Sequence, residues 1–138
     1  MKTHTTNYEN TFIEVAEDCP VTQGEVPPQK GTDKTIANLQ FEMISEHPYH
    51  YTSDDVVFHC FAVKNGLRKA ELPGARTGFF SKGQPCLRSS PLAKRYGFGI
   101  HHNAEGKVAL YAMETEEYLR MSKDKKLKVV KAMRSKRA

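Results

Sequence analysis

The sequence predicts an α+β fold in which a small antiparallel sheet, built from an N-terminal strand and a C-terminal hairpin, packs against two to four helices. Three observations predict it: a β-branched and aromatic segment near the N-terminus, a central region with apolar residues at helical spacing, and a strand–turn–strand pattern after residue 95. Helices grouped between a first strand and a hairpin are typical of this class. We expect one domain over residues 1–121 and a basic C-terminal extension over residues 122–138.

The first strand is predicted over residues 11–16, and it ends before Pro20. Residues 21–33 form a turn-rich loop, and loops of this length are often functional or mobile. A helix follows over residues 35–47, where apolar residues recur at three and four positions and Pro48 ends the pattern.

Over residues 54–64 a buried helix fits better than a strand, although the β-branched residues there keep the strand as an alternative. Thr52 or Ser53 is expected to cap its N-terminus, and Asn65-Gly66 provides a good C-terminal cap. Residues 70–83 give a weaker pattern: Pro73 suits the start of a short helix, but Gly74 and Gly78 count against one.

The hairpin carries the clearest local pattern. Residues 95–102 alternate, residues 103–106 have turn chemistry with Gly106 in the left-handed region, and residues 107–113 are again extended. This turn predicts a register, and Gly97 and Gly99 fall on the face that a backbone or a ligand can approach closely. The predicted pairs are Phe98 with Ala112, Gly99 with Tyr111, Ile100 with Leu110, His101 with Ala109, and His102 with Val108. A further helix begins at Thr115.

The chain has 138 residues, with 38% hydrophobic and 27% charged residues, which excludes fibrous and fully disordered proteins. No apolar run approaches the roughly 18 residues of a membrane span, and residues 1–6 lack the apolar region of a signal peptide. Cys19, Cys60 and Cys86 are odd in number and lack zinc-binding spacing. We therefore expect reduced thiols, a cytoplasmic location, no membrane partner and no metal.

The positive charge is concentrated in the tail. Residues 120–138 carry nine cations and one anion, Asp124, whereas the rest of the chain is mildly acidic. Leu127, Val130 and Met133 recur at helical spacing, so we expect the tail to be helical or partly disordered. Nucleic acid is an alternative partner through this tail, but no aromatic residue lies among its cations to stack on bases, and we do not favour it.

Chemistry-bearing residues are densest between residues 83 and 103. Arginine and lysine side chains there, together with serine hydroxyls, suit a phosphate or a carboxylate. The alternative is that the arginines pair with Glu114, Glu116 or Glu117. The predicted ligand-binding residues, gathered beside the glycine-bearing hairpin, are Arg88, Ser89, Lys94, Arg95 and His101.

Catalysis is the rival interpretation, with Cys86, His101 or His102 as the working residue. No nucleophile motif surrounds Cys86, and neighbouring residues of a strand point to opposite faces, so the two histidines cannot easily share one metal ion. Gly97-x-Gly99 lacks the third glycine of a dinucleotide fingerprint, and no cofactor is expected.

The segments 86–92 and 94–102 resemble a family of small bacterial proteins of unknown function, and the resemblance extends to residues 11–13, 18–20 and 51–55. It covers roughly residues 8–120. The family pattern usually has tryptophan where Phe98 stands and aspartate where Asn103 stands. The resemblance implies a bacterial, cytosolic protein and brings no activity, cofactor or catalytic residue.

Together these observations favour a small module that binds an anionic small molecule or a phosphate-bearing partner at residues 86–102. The two alternatives are an enzyme that uses Cys86 or one of the paired histidines, and an oligomeric scaffold whose basic tail binds nucleic acid without sequence preference.

Overall fold

The computed structural model of the chain describes residues 3–29 and 31–135. Its strands are β1 (Thr11–Glu14), β2 (Phe98–His102), β3 (Val108–Ala112) and β4 (Lys128–Lys131). Its α-helices are α1 (Ile36–Glu46), α2 (Ser53–Lys64), α3 (Leu72–Phe79), α4 (Pro91–Lys94) and α5 (Glu116–Ser122). Short 3-10 helices cover Lys69–Glu71 and Leu87–Ser89. The predicted α+β class is therefore confirmed.

Local capping explains where the helices begin. Thr35 and Thr52 each accept a hydrogen bond from the main-chain N–H three residues on, and the main-chain N–H of each threonine donates to the side-chain oxygen of that same residue. The hydroxyls of Ser90 and Thr115 accept from the N–H groups of Leu92 and Tyr118, and so cap α4 and α5. Gly66 has a φ of 59°, the left-handed conformation expected just after the end of α2.

The sheet has the order β3-β2-β1-β4. β1 pairs antiparallel with β2, and the β2–β3 register is the one that the sequence predicts, residue for residue. Gly106 has a φ of 79°, as the predicted turn requires.

The sequence prediction of a helical tail is wrong for β4, which pairs in parallel with β1 and makes the sheet mixed instead of purely antiparallel. The β-branched Val129 and Val130 suit a strand, and β1 offers unpaired main-chain groups that a helix would leave unsatisfied. Residues 136–138 of the predicted tail and residues 1–2 of the N-terminal segment lie outside the described residues.

The two faces of the sheet differ. The face that packs on α1, α2 and α4, here the α1 face, contains Ile13, Ile100 and His102, and its apolar residues form the main core. The opposite face, here the α5 face, contains Phe12 and His101, and Phe12 meets Tyr118 of α5 edge to face. Alternation along β1 and β2 produces this division.

The long loop before α1 is attached to the hairpin in its described part. The N–H of Gly24 donates to Glu114 Oε1 at 2.9 Å, and the N–H of Glu25 donates to the carbonyl of Tyr96 at 2.8 Å. Farther along, the side-chain amide of Asn38 donates to the carbonyl of Pro27. The loop therefore crosses the open end of β2 and β3 before the chain enters α1.

Candidate functional site

Three of the predicted ligand-binding residues lie around one cavity beside α4. Ser89 ends the 3-10 helix Leu87–Ser89, and Lys94 and Arg95 stand at the C-terminal end of α4. The cavity measures about 320 Å³. Its lining, here the basic cavity, consists of Thr35, Ile36, Ala37, Ser89, Pro91, Lys94, Arg95 and Tyr96.

The cations of the basic cavity are uncompensated. Lys94 is half-buried and Arg95 is exposed, and neither forms an ion pair within residues 3–29 and 31–135. The alternative in which the arginines pair with acidic residues after the hairpin is not found in this part of the chain, since Glu114 binds the N–H of Gly24 instead. Two unpaired cations at a concave surface attract an anion.

A second cavity, of about 320 Å³, adjoins the first, and we call it the apolar cavity. Ile36, Ser89 and Pro91 line both, so the two cavities adjoin between α1, α2 and the segment that leads into α4, and we call the pair the groove. The remaining lining of the apolar cavity is Gln40, Val57, Cys60, Phe61, Pro85, Cys86, Leu87 and Ser90.

Polar contacts fix the wall of the groove. The hydroxyl of Ser90 donates to Gln40 Oε1 at 2.5 Å and accepts from the N–H of Leu92, which ties α4 to α1. The hydroxyl of Ser89 donates to the thioether of Met133 at 3.1 Å. Sulfur is a weak acceptor, so Ser89 can transfer its hydrogen bond to a stronger one at little cost.

Arg88 lies outside the basic cavity, contrary to its predicted place in the site. Its Nε donates to the carbonyl of Lys131 at 2.8 Å, and its own carbonyl accepts from the N–H of Met133 at 2.8 Å. These bonds attach the 3-10 helix to β4. This role of Arg88 could not be predicted from the sequence, because it depends on β4, which the sequence did not predict.

His101 is also separate from the basic cavity, because it lies on the α5 face. Its Nδ1 is 2.7 Å from the hydroxyl of Tyr49, which is 2.7 Å from the hydroxyl of Tyr111. Burial lowers the pKa of His101, partly offset by Asp124, and burial together with Tyr111 raises the pKa of Tyr49.

The glycine side of the hairpin is filled by protein. A Cβ on Gly99 would lie 2.5 Å from Phe12 Cζ and 2.6 Å from Tyr118 Cε2. No room is left there for a ligand, so the expected approach of guanidinium groups to this side does not occur. Gly99 instead allows α5 to close on the sheet.

Cys86 contacts a phenol. Its Sγ is 3.1 Å from the hydroxyl of Tyr8. Burial, and next the Cys86 hydrogen bond, raise the pKa of Tyr8 to about 12, so this phenol does not act as a base near neutral pH. Within the described chain no imidazole is hydrogen-bonded to Cys86.

His102 is fully buried on the α1 face, edge to face with Tyr8 at 5.4 Å. Neither of its ring nitrogens has a hydrogen-bond partner among the described residues. Burial, and to a smaller extent the charge of His101, lower its pKa to about 4, while nearby main-chain groups of Ile100 and Thr11 only partly offset this. His102 is therefore a neutral core residue at neutral pH.

Another cavity, of about 540 Å³, lies between α2, α3 and the turn before α2, and its lining includes His50, His59 and Arg76. Arg76 is already engaged there. It pairs with Asp55 at 2.9 Å and lies over the rings of Phe58 and Phe80. Its charge is therefore compensated, unlike the charges of the basic cavity.

The described residues contain no group of three or more His, Cys, Asp or Glu side chains that could hold a metal ion. They also contain no helix that is both long and apolar enough to cross a membrane.

Comparison with known protein families identifies the family of the chain. The model of a family of unknown function, DUF6157, matches residues 3–138. The chain belongs to this family. The resemblance stated from the sequence to a family of unknown function is thus confirmed, and the DUF6157 match includes the groove residues. No curated protein and no solved structure matches the chain.

Sequence reasoning missed the apolar half of the groove. Ile36 and Phe61 are each more than a third exposed, although they belong to helices whose apolar residues were assigned to the core. An apolar residue directly after the Thr35 cap, on the first turn of α1, was the available indication. Their partner at the groove, Ser89, is distant in sequence, so no local pattern joins them.

Proposed function

We propose that the DUF6157 groove binds an amphipathic anion, meaning a small molecule with an apolar body and a phosphate or carboxylate group. One observation carries this proposal: Ser89, Lys94 and Arg95 line a cavity that adjoins a mainly apolar one. A guanidinium and an ammonium group that form no ion pair with the described residues suit the charged end of such a ligand.

The apolar cavity accounts for the rest of the ligand. Ile36 is 36% exposed and Phe61 is 37% exposed, so a bound apolar group would remove both from water. Burial of apolar surface stabilises a complex by roughly 25 cal/mol per Å². Each cavity, at about 320 Å³, falls within the range of small-molecule sites, which starts near roughly 300 Å³.

Binding is favoured over catalysis at this groove. Cys86 contributes to its lining, but its hydrogen-bond partner is the phenol of Tyr8. A thiol acting as a nucleophile needs a base or a site that favours the thiolate. The unpaired cations, by contrast, suit an anion without any further group.

Thermal unfolding in the presence of alkyl phosphates, aryl phosphates and fatty carboxylates tests the proposal. A ligand present at 100 times its dissociation constant adds about 2.7 kcal/mol to stability, which is a shift of about 10 °C for a chain of this size. We expect Lys94→Ala/Arg95→Ala to abolish the shift, whereas the matched removal of two exposed tail cations, Lys123→Ala/Lys125→Ala, retains it.

A second variant separates the two ends of the groove. Phe61→Ala should weaken ligands with a long apolar chain about tenfold, with no effect on inorganic phosphate. No shift with any ligand would overturn the proposal, and so would equal losses in the cavity and tail variants.

We also propose a bacterial origin and a cytoplasmic location. The resemblance noted in the sequence supports the first, and the three free cysteines, Cys19, Cys60 and Cys86, support the second.

A further inference from the structure

The outer edge of β4 is an open edge of the sheet. β4 stands at one end of the strand order, next to β1. The N–H of Lys128 donates to the carbonyl of Asn10, and the N–H of Ala132 donates to the carbonyl of Glu14. In this parallel register, alternate residues direct their main-chain groups away from the sheet, and those residues are Val129 and Lys131.

One part of this edge is closed by Arg88. Its Nε donates to the outward carbonyl of Lys131, and its carbonyl accepts from the outward N–H of Met133. Among the described residues, the N–H and carbonyl of Val129 and the N–H of Lys131 have no partner. They form a short template for another strand.

The opposite edge of the sheet is covered at its start. The N–H of Val108 donates to the carbonyl of Tyr51 at 2.9 Å, and its carbonyl accepts from the N–H of Tyr49 at 2.8 Å. The turn before α2 thus covers the start of β3, whereas the outward N–H and carbonyl of Leu110 have no partner among the described residues. Charge, and not access alone, therefore distinguishes the edge of β4.

The segment of the chain that contains the open edge is strongly basic. Residues 120–135 contain one anion, Asp124, and no aromatic residue. The cations of this segment are Arg120, Lys123, Lys125, Lys126, Lys128, Lys131 and Arg134. Both lysines of β4 are exposed. The Lys131 ammonium lies 3.8 Å from Glu14 Oε1, whereas Lys128 forms no ion pair among the described residues.

We propose that the outer edge of β4 binds an extended acidic segment of another protein by strand addition. Main-chain hydrogen bonds to Val129 and Lys131 would supply the alignment, and the lysines would select glutamate or aspartate on the added strand. A second copy of this chain is disfavoured, because pairing two β4 strands would bring lysines against lysines. A nucleic acid could use the charge but not the main-chain template.

A peptide that alternates glutamate and valine, with both ends blocked, is a suitable probe. Added to the full chain, it should slow hydrogen exchange at the outward N–H groups of Val129 and Lys131 at least fivefold, with little change at Val130, whose N–H is directed at β1. A peptide of equal charge that contains proline at alternate positions is the control, because it cannot form a strand ladder.

Variants test the two components separately. Val129→Pro removes an outward N–H, which an edge strand tolerates, and should weaken binding at least tenfold, whereas Val129→Ala should bind as the wild type does. Lys128→Glu should weaken binding about fivefold without touching the template. If Val129→Pro does not fold, Lys128→Glu and the exchange pattern still decide the question.

Several outcomes would overturn the proposal. They are equal binding of the proline-containing peptide, tighter binding of single-stranded DNA that Val129→Pro does not affect, formation of a dimer through β4, and absence of any binding. The groove is tested independently, because these variants should leave ligand-induced thermal shifts unchanged.

Discussion

The hairpin and the C-terminal strand are held by opposite kinds of interaction. In the hairpin, the groups that set the register lie within the turn: the N–H of Asn103 donates to Lys107, and Asn103 Oδ1 accepts from the N–H groups of Glu105 and Lys107. β4 depends on partners far away in sequence, since Arg88 and Lys131 are 43 positions apart. The difference shows that a strand can be predicted from the sequence when its hydrogen-bond partners are close to it in sequence, and not when they are distant.

The largest effect that we expect is a loss of stability at acidic pH, caused by His102 in the hairpin. His102 has a pKa of about 4 in the folded protein against 6.5 unfolded, so below pH 6.5 the unfolded state binds more protons. Lowering the pH from 7 to 4 should therefore cost about 3 kcal/mol of unfolding free energy through this residue. Urea unfolding across this range measures it.

His102→Phe is the matched control for acid. It keeps a ring in the core and removes the titrating nitrogens, so its stability at pH 7 should be near that of the wild type, with a shallower loss on acidification. An identical pH dependence of the two proteins would mean that His102 does not cause the loss of stability in acid.

A smaller effect is expected where the hairpin meets α5. Gly99→Ala places a Cβ against Phe12 and Tyr118, which are both buried, and should destabilise the protein by about 2 kcal/mol. Gly74→Ala, in α3 with open space around the new carbon, should be neutral or stabilising by up to about 1 kcal/mol. Urea unfolding measures both, and equal stabilities would mean that α5 does not press on the sheet.

The smallest expected effect is the loss of stability when the contact between Arg88 and β4 is removed. Arg88→Ala removes the donor to the carbonyl of Lys131 and should cost about 1 kcal/mol. Hydrogen exchange should become faster in β4 and stay unchanged in β2 and β3, because the turn holds the hairpin by itself. Arg95→Ala serves as the control without a stability effect, and faster exchange in both regions after Arg88→Ala would erase the distinction.

Sequence reasoning reached furthest where the information was local. The helix start at Thr115, the choice of Thr52 or Ser53 as a cap, the turn glycine Gly106 and all the hairpin pairs could be predicted from neighbouring residues. The tail could not, because Leu127, Val130 and Met133 fit a helix and the adjacent valines fit a strand equally well. The open side of β1 decides between them.

The candidate site, too, could be predicted only where its residues are close together in sequence. Ser89, Lys94 and Arg95 stay together because one short segment of the chain holds them. Arg88 and His101 were grouped with them by closeness in sequence, but the first faces β4 and the second lies across the sheet. Ile36 and Phe61 come from helices far away in sequence, and only the fold brings them to the groove.

The dipeptide His101-His102 crosses the sheet between one residue and the next. One imidazole meets the tyrosine hydroxyls on the α5 face, and its neighbour is enclosed by the core on the other. In a nuclear magnetic resonance spectrum, the signals of these two neighbouring rings therefore report on opposite faces of the sheet. A solute that reaches one side alone should move one set of ring signals and leave the other in place.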